Sequence, residues 1–406
     1  MICGLLGEKL GHSYSPAIHK ELANYDYALF KKSPSDVEDF LRNGDFHGLN
    51  VTIPYKKSVI PFCQVLTPQA EKLGAVNTIV RKKDGTLLGH NTDYYGFRSM
   101  ALKSGLNFSG KKALVLGSGG ASNTVCAVMQ ELGANVIVIS RNGDNHYNNL
   151  DLHTDTSVII NATPVGMYPN NGVSAVDLSI FPKLELVMDL IYNPAKTKLL
   201  LDAEKRNIKT ENGLWMLIAQ AKESAEYFKN QSIDDSVISE IYQKIKSQAE
   251  NIILIGMLGC GKSTIGKLLS EKLGKQFQDT DSAIEIAAGC NIPDIFQTQG
   301  EETFREIEAQ VIAEISKKSN LVISTGGGCV TRNENISLLR QNGTIIWLKR
   351  SLNLLPTDGR PLSQSQKLTE LYKQRQPLYQ AASDYIIENS GTPEETVATI
   401  IREVIP

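Results

Sequence analysis

The sequence predicts an α/β protein whose strands lie in parallel sheets, and three observations carry that expectation. Short, almost wholly apolar β-rich runs alternate with helical patterns along most of the 406 residues. Runs of that kind suit strands covered on both faces, and the helical segments between them imply βαβ units. Two glycine-rich loops each sit between a strand and a helix: GSGGAS at 117–122 and GMLGCGKST at 256–264. Finally, the amphipathic stretch DDSVISEIYQKIKSQAEN (234–251), with Val237, Ile238, Ile241 and Ile245 on one face, runs straight into a new strand and marks a domain boundary near residue 250.

Composition narrows the class. Apolar residues make up 41% and charged residues 21%, with a net charge of -2. That is ordinary for a globular protein and offers no basic excess for nucleic acid or an anionic membrane. The longest apolar runs, such as 252–255, are strand-length, far short of the roughly 20 residues that span a bilayer. The N-terminus MICGLLGEKLGHS has neither a basic leader nor a long apolar core, so a cytoplasmic protein is expected. Six cysteines, at 3, 63, 126, 260, 290 and 329, form no CxxC pair, and the six histidines show no metal-ligand spacing. Free thiols are expected, and no histidine receives a catalytic role.

Taken in chain order, the first hundred residues supply polar groups in short motifs. HSYSP (12–16) offers Ser13 and Ser15, NVTIPYK (50–56) offers Thr52 and Lys56, GAVNT (74–78) offers Asn77, and NTDYYGF (91–97) offers Asp93. The strand KKALVLG (111–117) then feeds Gly117, Ser118, Gly119, Gly120 and Ala121, and the helix ASNTVCAVMQELG follows. The last glycine of the dinucleotide fingerprint G-x-G-x-x-G is here Ser122, but the strand–turn–helix context is the one a Rossmann-like lobe requires. The next strand, NVIVIS (135–140), ends in Ser140 and Arg141. NAD enzymes place an acid there for the ribose hydroxyls; an arginine suits a 2′-phosphate and favours NADP(H), while a solvated arginine at a strand end is the plain alternative.

SVIINAT (157–163) reads as a further strand, and together with NATPVGM (161–167), LIYNP (190–194) and NGLWMLIAQA (212–221) the motifs above resemble shikimate dehydrogenase over about residues 1 to 235. The resemblance implies that Ser13 and Ser15 hold the shikimate carboxylate and that Thr52, Asn77, Asp93, Tyr192 and Gln220 hold the ring hydroxyls. It implies Lys56 and Asp93 as the catalytic pair, Gly213 and Met216 beside the nicotinamide, and Leu190 among the NADP-binding residues. The family's N-R-T cofactor motif is here Ser140-Arg141-Asn142.

The later loop fits G-x-x-x-x-G-K-[ST], with the strand NIILI before it and the helix STIGKLLSEKL after it. Backbone N–H groups from Gly259, Cys260, Gly261, Lys262, Ser263 and Thr264 would converge on ATP phosphates. Lys262 would reach the β- and γ-phosphates, and the Ser263 hydroxyl would ligate Mg²⁺. In FQDTDSAIE (277–285), Asp279 and Asp281 lie two apart, the spacing that shares one face at a strand end. GEETFREIE (300–308) brings Arg305, and LVISTGGG (321–328) ends a buried strand in Gly326, Gly327 and Gly328, which allow close backbone approach to a ligand. GTIIWL (343–348) reads as a further strand.

With GRPLS (359–363) and QRQPLY (374–379), this half resembles shikimate kinase from about 250 to 406. The resemblance implies Asp281 as base on the 3-hydroxyl, Asp279 as Mg²⁺ support, Arg305 and Arg375 as a clamp on the shikimate carboxylate, the three glycines as acceptor-site lining, and Arg360 as a lid residue on the ATP phosphates. The lid between Leu352 and Arg360 is shorter and less basic than the family's usual one.

The expected organisation is therefore a substrate lobe (1–98 with 212–235), an NADP lobe (99–211), a linking helix (236–249) and a P-loop kinase domain (250–406). The expected ligands are NADP(H), ATP, Mg²⁺ and the small acids 3-dehydroshikimate and shikimate. The sequence also leaves open an NAD-preferring quinate or shikimate dehydrogenase fused to a weak kinase, and a shikimate-sensing regulator.

Overall fold

The structure, a computed structural model, describes residues 1–11, 13–355 and 365–405. Two compact units divide it: Met1–Met167 with Val173–Ile245, and Lys246–Pro406 with Tyr168–Gly172.

The first unit holds two sheets. The N-terminal sheet runs β2-β1-β3-β5-β6-β4, with β1 at Ile2–Gly7, β2 at Asp26–Lys31, β3 at Gly48–Val51, β4 at Val65–Leu66, β5 at Thr78–Arg81 and β6 at Leu87–His90. β1 pairs in parallel with β2 and β3, whereas β5 is antiparallel to both β3 and β6. The antiparallel pair is a hairpin closed around Asp84 and Gly85, with Lys82 N–H bonded to the Thr86 carbonyl. An Asp-Gly pair between apolar runs is a hairpin signal, and it lay outside the strands that the apolar runs single out.

The second sheet is all parallel, in the order β11-β10-β9-β7-β8: β7 Lys112–Leu116, β8 Asn135–Ile139, β9 Val158–Asn161, β10 Leu186–Asp189, β11 Lys209–Asn212. β9 and β10 are buried at every position, as their unbroken apolar runs require. Helices Asp93–Lys103 and Leu214–Lys229 pack on one another and carry the polar residues that face the N-terminal sheet. The helix Ser236–Ala249, expected as a link, buries Ile238, Ile241 and Ile245 against Ile18, Leu214 and Ile218. The division between the units falls inside it, after Ile245.

The second unit has one parallel sheet, β13-β14-β12-β15-β16: β12 Asn251–Ile255, β13 Gln276–Asp279, β14 Leu321–Ser324, β15 Gly343–Lys349, β16 Tyr385–Glu388. β12 and β14 are wholly buried at its centre, and the helix Lys262–Leu273 lays Ile265 and Leu269 on them. Lys275 closes the end of the helix Ser236–Ala249 from this side, its Nζ donating to the carbonyls of Ser247 and Glu250 at 2.8 Å.

All six cysteines are free. No helix among the described residues is long and apolar enough to cross a membrane.

Candidate active sites

In the first unit, Lys56 stands in the turn after β3 and Asp93 opens the helix Asp93–Lys103. Lys56 Nζ donates to Asp93 Oδ2 at 2.6 Å. The lysine side chain is 32% exposed and the aspartate's 10%, so the ammonium keeps access to a ligand while the carboxylate behind it is fixed. Asp93 is placed by its neighbours: Asn91 Oδ1 accepts from Asp93 N–H at 3.1 Å, and Asn77 Oδ1 accepts from Thr92 N–H at 2.7 Å. Asn77 Nδ2 donates to Gln220 Oε1 at 3.2 Å, which brings the helix Leu214–Lys229 to the same place.

Beneath these lies a network that sequence reasoning missed. Asn50 Nδ2 donates to Ser224 Oγ at 2.7 Å, Thr78, Thr92 and Ser224 share hydroxyl contacts of 3.0–3.3 Å, and the Tyr27 hydroxyl donates to Asn50 Oδ1 at 2.8 Å. Ser15 N–H donates to Ser13 Oγ at 3.2 Å, and the Ser15 hydroxyl faces the Tyr27 phenol. The Tyr192 ring lies 5.7 Å from that of Tyr14, bringing LIYNP against HSYSP. Thr52 is half-buried, its N–H bonded to the Leu6 carbonyl.

The dinucleotide loop leaves β7 at Gly117, whose φ of +101° favours glycine; a Cβ there would also meet Thr163 Cγ2 at 2.8 Å. Ser118, Gly119, Gly120 and Ala121 are all exposed at the start of the helix Gly120–Glu131. A Cβ on Gly119 or Gly120 would meet nothing within 4 Å, so the loop borders open space at the start of a helix, where a pyrophosphate can bind. Ser122, in place of the fingerprint's last glycine, is buried, its Oγ 3.9 Å from Cys126 Sγ. Ser140 and Arg141 follow β8, with the arginine exposed.

Leu190 and Gly213 are brought together: a Cβ on Gly213 would sit 2.0 Å from the Leu190 carbonyl oxygen. Met216 is only 7% exposed and packs among Phe97, Val115 and Ile160, so most of that side chain serves the core rather than a ligand face. Asp189, at the end of β10, is a buried residue that no motif flagged. It accepts from Thr197 Oγ1 at 2.7 Å, Ile191 N–H at 3.0 Å and Asn161 Nδ2 at 3.0 Å.

In the second unit a cavity of 630 Å³ is lined by Gly259, Gly261, Lys262, Ser263, Thr264, Asp279 and Asp281, with Ser324 and Arg350 alongside. Gly256, Gly259 and Gly261 all have positive φ, which curls the loop between β12 and its helix. Cys260 turns its side chain into the core, and its carbonyl accepts from Asn389 Nδ2 at 2.7 Å. Lys262 is folded back, Nζ donating to the Gly256 carbonyl at 3.0 Å and the Met257 carbonyl at 2.9 Å. Ser263 Oγ donates to Asp279 Oδ2 at 2.8 Å. That pair of hard oxygen donors on the cavity wall suits Mg²⁺, which keeps several waters and takes few protein ligands.

Strand alternation is not what brings Asp279 and Asp281 together. Asp279 ends β13 and caps the helix Thr280–Ala288, its Oδ1 accepting from Asp281 N–H at 3.0 Å and Ser282 N–H at 3.3 Å. Asp281 therefore enters the cavity from a first helical turn. Burial, and then the neighbouring Asp279, push its carboxyl up to about 6.

Each glycine of the triplet lies under a different group. A Cβ on Gly326 would sit 2.6 Å from Asp281 Oδ1, one on Gly327 3.2 Å from Leu258 N, and one on Gly328 2.4 Å from both Arg305 Nη atoms. Arg305 is held by Glu308 at 2.8 Å and Glu301 at 3.2 Å. Arg375 is buried one turn before Tyr379, whose hydroxyl donates to the Gly327 carbonyl at 2.6 Å. Arg375 Nη1 and Glu308 Oε1 are buried without a hydrogen-bond partner among the described residues, and buried polar atoms of that kind are what a polar ligand satisfies. Tyr379 and Asn389 position these groups and were not singled out from sequence. Arg360 lies outside the described residues, as does the lid beyond Leu355.

Comparison with known proteins finds two families along the chain. A family model described as shikimate kinase matches residues 258–406, and one described as shikimate dehydrogenase substrate binding domain matches residues 5–79. A shikimate dehydrogenase (NADP(+)) of Clostridium perfringens is 36% identical over 265 residues, covering 60% of this chain and 97% of the relative. Among solved structures, shikimate dehydrogenase 1 from Peptoclostridium difficile matches with a TM-score of 0.55 and 37% identity, over 60% of this chain and 97% of that one. The shikimate 5-dehydrogenase of Thermus thermophilus, solved with NADP(H) and shikimate, matches with a TM-score of 0.55 and 27% identity, over 60% of this chain and 99% of that one.

Proposed function

Because the chain belongs to the shikimate dehydrogenase family and carries a shikimate kinase domain at its C-terminal end, we propose that it is a bifunctional enzyme of chorismate biosynthesis, reducing 3-dehydroshikimate to shikimate and then phosphorylating shikimate at O3. The observation that carries this reading is that each nucleotide loop shares its unit with its own proton-handling carboxylate. Asp93 stands against Lys56 in the unit with the GSGGAS loop, and Asp281 stands on the cavity of the P-loop.

In the first reaction NADPH supplies the hydride to the C3 carbonyl carbon. Lys56 polarises the carbonyl and donates a proton to its oxygen as that becomes an alkoxide. Asp93 holds the ammonium in place through their 2.6 Å contact, and Asn77 and Gln220 orient a ring hydroxyl. Ser13 and Ser15 bind the carboxylate, beside Tyr192, while Thr52 contributes to hydroxyl binding. Arg141 stands exposed at the end of β8, where it can meet a 2′-phosphate, which favours NADP(H) over NAD(H).

In the second reaction Asp281 takes the proton of the O3 hydroxyl, whose oxygen attacks the γ-phosphorus of ATP while ADP departs. Lys262 exchanges the two loop carbonyls for phosphate oxygens, and Ser263 and Asp279 offer oxygens to Mg²⁺. Arg305 and Arg375 present two guanidinium forks to the acceptor's carboxylate, a planar bidentate match. The glycine triplet keeps the floor of that site free of side chains.

The test supplies the purified chain with 3-dehydroshikimate, NADPH and Mg-ATP and follows NADPH oxidation and ADP formation in one sample. ADP is expected only when NADPH is present or shikimate is added. Absence of ADP with added shikimate would reduce the chain to a dehydrogenase carrying a nucleotide-binding domain. A parallel run with NADH in place of NADPH separates this reading from an NAD-preferring catabolic one.

A further inference from the structure

Asp189 is fully buried at the carboxyl end of β10, and the donors to its carboxylate are all neutral: the Asn161 amide from β9, the Thr197 hydroxyl and the Ile191 N–H. Neighbouring charges are already matched to others. Glu211 on the adjacent β11 is paired with Lys103 at 2.6 Å, and in the helix Lys198–Glu204, Asp202 is paired with Lys198 at 2.6 Å. No lysine, arginine or histidine among the described residues forms an ion pair with Asp189. A buried carboxylate without a cation is costly. Burial raises its carboxyl to about 6, so at neutral pH it is still mostly ionised.

Topology says what could compensate it. The glycine loop leaves β7 and Arg141 leaves β8, while β9 and β10 follow on the opposite side of β7. Ligands of such sheets lie across the carboxyl ends of the strands where the order reverses. With strands about 4.8 Å apart, a dinucleotide whose phosphates meet the β7 loop and whose 2′-phosphate meets Arg141 extends its nicotinamide half over the ends of β9 and β10. Asp189 lies under that half, and the next residue, Leu190, has its carbonyl against Gly213. The nicotinamide ring carries one positive charge in NADP⁺ and none in NADPH.

We propose that the Asp189 carboxylate is the fixed counter-charge of the oxidised nicotinamide ring, and that it sets the affinity of the enzyme for NADP⁺ relative to NADPH. The proposal rests on the first unit being an NADP-dependent dehydrogenase. Asp189 is a positioning and electrostatic residue here, since Leu190 and the Asn161–Thr163 turn stand between it and the ring. That turn is tied to it through Asn161, whose Oδ1 accepts from Thr163 N–H at 3.0 Å and Thr163 Oγ1 at 2.6 Å.

The experiment titrates NADP⁺ and NADPH separately onto the full-length chain by calorimetry, with and without Asp189→Asn. At about pH 7.5 the variant should weaken NADP⁺ binding roughly three- to tenfold more than NADPH binding, the scale of one charge acting across several ångströms of protein. In the unsubstituted chain the ratio Kd(NADP⁺)/Kd(NADPH) should climb as pH falls through about 6, where the carboxyl takes up a proton. In Asp189→Asn the ratio should be flat. The cofactor's own 2′-phosphate titrates at about pH 6, but it does so in both forms and cancels from the ratio. Thr197→Val, which removes a hydrogen bond and keeps the charge, should leave the ratio unchanged. Equal weakening of both forms by Asp189→Asn, or a pH-independent ratio in the unsubstituted chain, overturns the proposal; the second arm decides even if the variant does not fold. If the unsubstituted chain binds neither form, the dehydrogenase reading fails and this proposal goes with it.

Discussion

Asp281 must be ionised to act as a base, yet its surroundings resist ionisation. Burial and Asp279 disfavour the charged form, so the folded protein holds this proton more tightly than an exposed aspartate would. The kcat/KM for Mg-ATP, which reports the groups of the nucleotide-free enzyme, should therefore decline as pH drops through about 6, measured by ADP release with Mg-ATP varied at low concentration. Asp281→Asn should lower the kinase kcat by roughly 10²–10⁴-fold, the usual scale for a general base. The same change removes a poorly solvated charge, so the melting temperature should hold or rise, a trade of activity against stability seen when a site residue is neutralised. A variant that keeps its kcat would remove Asp281 from the chemistry. At this scale residue identity was legible and geometry was not. The two aspartates stood out as a pair, but strand periodicity was the wrong reason for their meeting. An aspartate immediately before a helical pattern is a favoured N-cap, and that preference accounts for Asp279 better than alternation does.

Among elements, the glycine triplet after β14 makes the sharpest demand, because three side-chain positions are taken by Asp281, the P-loop and Arg305. Gly328→Ala would drive a methyl into a guanidinium that Glu308 and Glu301 already hold. We expect a raised KM for the acid acceptor with the ATP KM nearly unchanged, read from steady-state kinetics with each substrate varied in turn. Comparable rises in both would mean that the turn shapes the P-loop instead. Arg375→Ala should show the same split, with a larger effect on the acceptor. Strands such as β9, β12 and β14 could be read directly because burial on both faces writes itself as an unbroken apolar run. The β5–β6 hairpin and the network of Asn50, Thr78 and Ser224 could not be read that way. Thr78 and Ser224 meet across 146 residues of chain, and neither polar side chain carries a local pattern that announces a partner so distant.

For the whole molecule, the two units carry separate nucleotide loops, and the proton-handling groups proposed for them are separate too, so the reactions should be separable by substitution. Lys56→Ala should reduce NADPH oxidation by roughly two or more orders of magnitude, about the contribution of a positioned acid. Phosphorylation of added shikimate by the same variant should continue at the unsubstituted rate. Loss of both together would show that the first site supports the second by more than delivering its product. An amphipathic helix abutting a wholly apolar strand is what suggests a boundary near residue 250 in the sequence, whereas the compact units divide inside that helix after Ile245; Ile238, Ile241 and Ile245 give the same stripe whichever unit receives them. Joining both loops in one polypeptide also settles a matter of supply. Under the proposed function, every copy translated adds one producer and one consumer of shikimate, so the standing level of that intermediate is governed by the ratio of two kinetic constants and stays the same however strongly the chain is expressed.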